Sequence, residues 1–155
     1  MITISEITND VDLQSLQEAW DDLLKKVPDE NPFLSFEWVS NYRKHLGQGE
    51  LFVLTAEQNK KIRCIAPLCI TQRKSLGMPV RVASFITTQQ TNTDRLNFIN
   101  NLFGIDKRLG WSDQAGFLYD PDYPEVLYET IRYLKRSDQW DIMDLREIAD
   151  RKSVV

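Results

Sequence analysis

The chain has 155 residues with 42% hydrophobic and 27% charged side chains, a composition that excludes disorder and suits one domain with its own core. Its 23 acidic against 19 basic residues leave a net charge of −4, the wrong sign for an electrostatic binder of nucleic acid or of an anionic membrane. With 6 Gly and 6 Pro it is neither collagen-like nor a linker.

Residues 2–7 (ITISEI) alternate apolar and polar, as a short strand does. Leu13, Leu16, Ala19, Trp20, Leu23, Leu24 and Val27 recur at helical spacing, so a helix is expected over about 12–27, capped by Asp10 or Asp12 and ended by Pro28. Asn31-Pro32 opens a turn, and Ser35 is placed to cap a second helix over about 36–46, with Glu37 in its first turn and Gly47 and Gly49 after it. ELFVLTAE (50–57) and KIRCIAPLCITQ (61–72), joined by a short polar turn, read as a hairpin. Pro67 inside the second strand removes a ladder donor and so predicts an edge position or a bulge. Residues 73–79 read as a turn and 80–86 as a third strand.

Periodicity then fails from Thr87 to Asp122, an unusually long interval for a compact domain, with Phe98, Ile99, Leu102 and Phe103 suiting a short strand or helical turn within it. Pro124 suits the first turn of a helix carrying Val126, Leu127, Ile131, Tyr133 and Leu134, with Arg132, Lys135 and Arg136 at its negative end. Trp140 to Leu145 alternates as a closing strand.

Few residues announce chemistry. Cys64 and Cys69 stand five apart on one strand, hence on opposite faces, and read as buried, reduced thiols. His45, the one histidine, sits at a helix C-terminus where a solvated or capping role is expected, so no metal site is expected. The sequence carries no Gly-rich phosphate loop and no Gly-x-Ser-x-Gly elbow. Asp21-Asp22, Asp29-Glu30, Asp120-Asp122 and Asp141-Asp144 read as solvated faces or turns. Trp20, Trp38 and Trp140 read as core or half-buried anchors, whereas Trp111, in the irregular interval, is a candidate groove residue. The amide-rich run Gln89-Gln90-Thr91-Asn92-Thr93-Asp94-Arg95 is the best local candidate for polar ligand contacts. The N-terminus lacks the basic start and apolar run of a secretory signal, and no stretch is long and apolar enough to span a membrane, so a cytoplasmic protein with no membrane or nucleic-acid partner is expected.

The segment NPFLSFEWVSNYRKHLG, followed by LFVLTAEQNKKIRCIAPLCI, resembles the amino-terminal half of a bacterial acyltransferase family, the cellulose-biosynthesis acetyltransferases of the GNAT superfamily, similar to FemAB-type aminoacyl transferases. The matching elements are Ala19-Trp20-Asp21-Asp22-Leu23, then Asn31, Pro32, Phe33, Ser35, Glu37 and Trp38, then Ile65-Ala66-Pro67-Leu68, the loop Thr91–Phe98 with Asn97 where an acid is common, and Trp140 to Leu145. The resemblance implies an α/β fold of the α+β type, a GNAT-like mixed, largely antiparallel sheet flanked by helices in a single domain over 1–155. It implies the acceptor-side half of an acyl-CoA N- or O-acyltransferase of polysaccharide or cell-envelope metabolism, with a small-molecule or glycan acceptor. Acyl-CoA (acetyl-CoA) would not be bound by this chain alone, and the partner expected is a second acyltransferase half or a homo-oligomer. No catalytic base carries over. The candidate acceptor-groove residues are Gln90, Asn92, Asp94, Arg95 and Trp111. The alternatives are a non-catalytic binding domain that kept the fold without the acyl-CoA loop, and a complete small GNAT enzyme with a degenerate loop.

Overall fold

The computed structural model describes residues 1–27, 31–88 and 116–145. Pro28, Asp29-Glu30, the run 89–95, Asn97, Phe98, Ile99, Leu102, Phe103, Gly104, Gly110 and Trp111 lie outside the described residues, and with them every candidate acceptor-groove residue.

The fold is mixed α+β, with a largely antiparallel sheet flanked by helices. Strand β1 (Ile2–Ile7) is followed by helices α1 (Asp10–Ser15) and α2 (Gln17–Leu24), a single 3-10 turn at Pro32–Leu34, and α3 (Phe36–His45). Strands β2 (Glu50–Gln58), β3 (Lys61–Ser75) and β4 (Met78–Phe85) form an antiparallel meander. The short β5 (Leu118–Tyr119), helix α4 (Pro124–Arg136) and β6 (Ile142–Asp144) complete the described elements. The sheet order is β1-β2-β3-β4-β6, with β5 also on β3, and only the β4–β6 pair is parallel.

The expected first helix is two helices. The Ser15 hydroxyl bonds back to the Asp12 carbonyl at 2.6 Å, and the Leu16 amide takes the Leu13 carbonyl, a three-residue step that ends α1. Its cap is Asn9 rather than Asp10 or Asp12. Asn9 is extended and its side-chain oxygen accepts from the Asp12 amide at 2.9 Å, which leaves both aspartates inside the first turn as dipole partners. Ser35 caps α3 as expected, accepting from the Trp38 amide at 3.2 Å. Gly49 then has φ +79°, and a side chain there would run into the Ile70 carbonyl.

Alternation along β2 and β3 divides the interior. Leu51, Val53, Ile65 and Cys69 pack under α1, α2 and α3, whereas Phe52, Leu54, Ala66 and Leu68 pack toward Leu134 of α4 and Trp140. Both strands are therefore apolar on both faces, the pattern of a sheet covered on two sides. Cys64, beside Ala56 and Val126, and Cys69 accordingly occupy opposite faces as free, buried thiols. Trp20 is buried with its indole N–H donating to the Leu34 carbonyl at 2.8 Å, and Trp140 stacks edge-on against Phe52, whereas Trp38 is exposed, touching the Phe33 ring edge-on, and is not the core or half-buried anchor expected.

Two expectations about the meander are corrected. Residues 73–79 are not a loop, because β3 runs on to Ser75 and β4 starts at Met78 around a two-residue turn, Leu76-Gly77, with φ +51° and +78°. Pro67 is neither at an edge nor in a bulge. It sits on an interior strand opposite Val53, at the point where β3 changes partners on its other side. Leu68 pairs with Phe85 of β4 and Ile65 with Leu118 of β5, so the missing donor falls where the neighbouring strand is interrupted. The bulge is at Arg63, which lies between the pairs Ala56–Cys64 and Glu57–Ile62.

Candidate functional site

Two places in the fold concentrate polar groups. The first is the interruption itself. Strands β4 and β5 lie on one line along β3, and the chain leaves this line after Phe85 and rejoins it at Leu118, opposite β3 residues only three apart, about 10 Å of strand. Around the point of exit, Ser84 and Thr87 are buried polar residues, and the Cys69 Sγ lies 3.6 Å from the Ser84 carbonyl. Tyr42, from α3, is buried near Cys69, and burial and then that thiol push its phenol above its usual range.

The second is a charge cluster beside this break, on Arg63 near the start of β3. Asp120, in the turn between β5 and α4, is fully buried, and its Oδ2 accepts from Arg63 Nη1 at 2.7 Å and from Lys26 Nζ at 2.6 Å. Its Oδ1 accepts from the Asp122 amide at 3.1 Å, and its own amide donates to the Arg63 carbonyl at 2.8 Å. The Arg63 guanidinium lies 4.0 Å from the centre of the Tyr123 ring. Burial by itself would raise the Asp120 pKa, but the hydrogen bonds from Lys26, Arg63 and the Asp122 amide outweigh it and hold the carboxyl below its ordinary value. Asp120 is therefore not the solvated turn residue its sequence suggests. The bulge is what aims Arg63 here, next to Ile62, so that two consecutive residues of β3 meet the α2 side.

The cluster borders a groove of about 620 Å³ between α2 and the β2–β3 turn, floored by Ala19, Leu23 and Ile62. A smaller groove of about 330 Å³ separates α1 from α3. There the polar groups bond one another, with Gln14 on Ser40 at 3.0 Å and Arg43 on both Asp10 and the Gly49 carbonyl, which makes it a seam of the scaffold.

His45 is exposed in the last turn of α3, as expected. Arg81 and Asp141 form an exposed pair that ties β4 to the start of β6. No group of three or more potential metal ligands occurs among the described residues, and no helix among them is long and apolar enough to cross a membrane.

No protein-family model matches the chain, and no curated protein matches it. Among solved structures it is similar to a GNAT family acetyltransferase from Staphylococcus aureus, at 14% identity and a TM-score of 0.44, over 99% of this chain and 91% of that one. It is also similar to a point mutant of the BH1408 protein of Bacillus halodurans, at 13% identity and a TM-score of 0.35, over 92% of this chain and 80% of that one.

Proposed function

We propose that this chain is a GNAT-like acyltransferase-type domain, the acceptor-side half of an acyl-CoA N- or O-acyltransferase of polysaccharide or cell-envelope metabolism. The observation that carries this reading is the break in the sheet opposite Pro67, where one strand line is interrupted between Phe85 and Leu118; the amide-rich run 89–95 lies between these two residues in sequence. Where a strand line is interrupted, backbone groups of the neighbouring strand are left outside the ladder, and in this reading an acceptor amine or hydroxyl is held there against a donor carbonyl. The order of helix, turn, hairpin and closing strand, in which the resemblance to the cellulose-biosynthesis acetyltransferases resides, also supports it. Acyl transfer needs an oriented acceptor, a base, and dipoles aimed at the carbonyl oxygen. In this reading the chain supplies the first, through Gln90, Asn92, Asp94, Arg95 and Trp111, and a second half supplies the acyl-CoA site.

The test is a pair of titrations on the isolated chain, one with amino-sugar and oligosaccharide acceptors and one with acetyl-CoA. Saturable acceptor binding that is lost in Arg95→Ala, with no thermal stabilisation by acetyl-CoA, is the expected result. A saturable shift with acetyl-CoA, about 2.7 kcal/mol at a hundredfold excess over its dissociation constant, would instead place the donor site in this chain. Binding of neither overturns the proposal. A second reading, a binding domain without catalysis, is favoured by one feature: the run TTQQTNTDRLNFINN contains no glycine with which to cradle a pyrophosphate. Acceptor binding without turnover when a competent donor half is added would support it.

A further inference from the structure

The groove beside α2 carries charge that the acceptor reading does not use. We propose that it binds a small phosphate-bearing molecule, with the phosphate held by Lys60 and Lys61 of the β2–β3 turn and by Lys26, and an apolar portion lying on Ala19, Leu23 and Ile62. Its size, about 620 Å³, falls within the range of small-molecule sites.

The charge distribution gives the ligand its sign. The chain as a whole carries −4, yet five cations line this groove against three carboxylates, and the surplus stays positive when the buried Asp120 behind it is counted. Of the three carboxylates, Asp22 is already engaged by Lys25 at 3.4 Å, and Glu18 and Glu57 remain. Lys26 and Arg63 share one oxygen of Asp120, so one carboxylate answers two cations. Among the described residues Lys60 and Lys61 have no ion-pair partner. Lys60 stands in a tight turn, where Asn59 and Lys60 have φ +54° and +60°, and Lys61 follows it as the first residue of β3. Lysines act on phosphate as point charges, without the planar fork a carboxylate pair would favour.

A second observation points the same way. Arg63 is nine-tenths buried and lines the groove, and its Nε–H has no hydrogen-bond partner while Nη1 is held by Asp120. Buried side-chain donors are nearly always paired. A phosphate seated against Arg63 would share the guanidinium's charge with Asp120, which now answers both Arg63 and Lys26, and the apolar floor would take the rest of the molecule. The inference stands apart from the acyltransferase proposal, because it rests on the cations of the groove beside α2 and involves no acyl group.

Inorganic pyrophosphate and adenosine 5′-diphosphate are the probes, titrated into the full chain by calorimetry and by amide NMR at low and physiological salt. Expected is saturable binding in the millimolar range or tighter, weakened by salt, with shifts concentrated at Lys25, Lys26 and Lys60–Arg63. Tighter binding of the nucleotide than of pyrophosphate would assign the apolar floor its role, and equal binding would restrict the site to the phosphate alone and overturn that part. The double variant Lys60→Asn/Lys61→Gln, whose asparagine keeps the left-handed turn, should lose roughly tenfold in affinity at unchanged melting temperature. No saturable binding, binding unaffected by the double variant, or shifts centred elsewhere would each overturn the proposal. Acceptor binding in the titrations above is expected to survive the double variant, which separates a failure here from a failure there.

Discussion

Asp120 is the residue on which most of the described polar structure converges, and its two partners are not equivalent. Arg63 is buried, so Asp120→Asn strands a cation away from water and is expected to cost about 3–5 kcal/mol of unfolding free energy. Lys26 is 44% exposed, and Lys26→Met should cost about 1 kcal/mol or less. Urea unfolding of the two variants checks this, and equal costs would contradict the geometry. The pH dependence follows from the lowered carboxyl pKa. The contribution of Asp120 is complete above the ordinary carboxylate value of 3.8 and is lost as pH falls below it toward the folded value. Wild type should therefore lose stability more steeply than Asp120→Asn in that acid window, and the two should run parallel at neutral pH. Nothing in Asp120-Pro121-Asp122 announces this. The turn itself is legible, because aspartate accepting from the amide two residues on is a common turn device. Its burial depends on a bulge and a helix end remote in sequence.

At the scale of elements, the β3–β4 hairpin contains a local conflict. Leu76 has φ +51° and is fully exposed, so it bears the steric penalty of the left-handed region without packing to offset it. Leu76→Asn, giving Asn-Gly at the two-residue turn, is expected to stabilise the chain by about 1 kcal/mol in chemical denaturation. A loss of stability would mean that Leu76 is covered in solution. The same hairpin shows why 73–79 resembles a loop: Arg73, Lys74 and Ser75 are polar because β3 projects past the helices there, and a strand without a covered face has no hydrophobic period to read. Pro67 is the converse. A proline in a run of buried apolar residues signals an interrupted ladder, and it is interrupted, but on the side and by the strand that only the pairing reveals.

At the scale of the whole molecule, the two thiols report on the two halves of the core. Burial pushes the Cys64 thiol from 9.0 up to about 12, a rise the Thr130 hydroxyl only partly offsets, and Cys69 is equally enclosed on the other face of the sheet. Both should resist a thiol reagent in the native state and react together on global unfolding, with labelling rates that follow the unfolding free energy. If one labels first, the face it occupies opens independently. Because the folded pKa of Cys64 is raised, its effect on stability is nil below about pH 9 and turns destabilising as pH climbs from there toward 12, so Cys64→Ala should be less alkali-sensitive than wild type.

What the sequence determined by itself is the local and periodic part: β1, the Ser35 cap and the helix it starts, the β2–β3 hairpin, the helix opened by Pro124, and the separation of the two cysteines onto opposite faces. These rest on neighbours a few residues apart, through hydrogen bonds and the alternation of buried side chains. What only the tertiary structure decided is where distant segments meet. Leu118 joins the line of β4 beside Pro67, and Arg63, Lys26 and Asp120 come together across as many as 94 residues of chain. Such contacts leave no period in the sequence, because one side of each is set by a bulge, a helix end or a turn whose partner lies elsewhere.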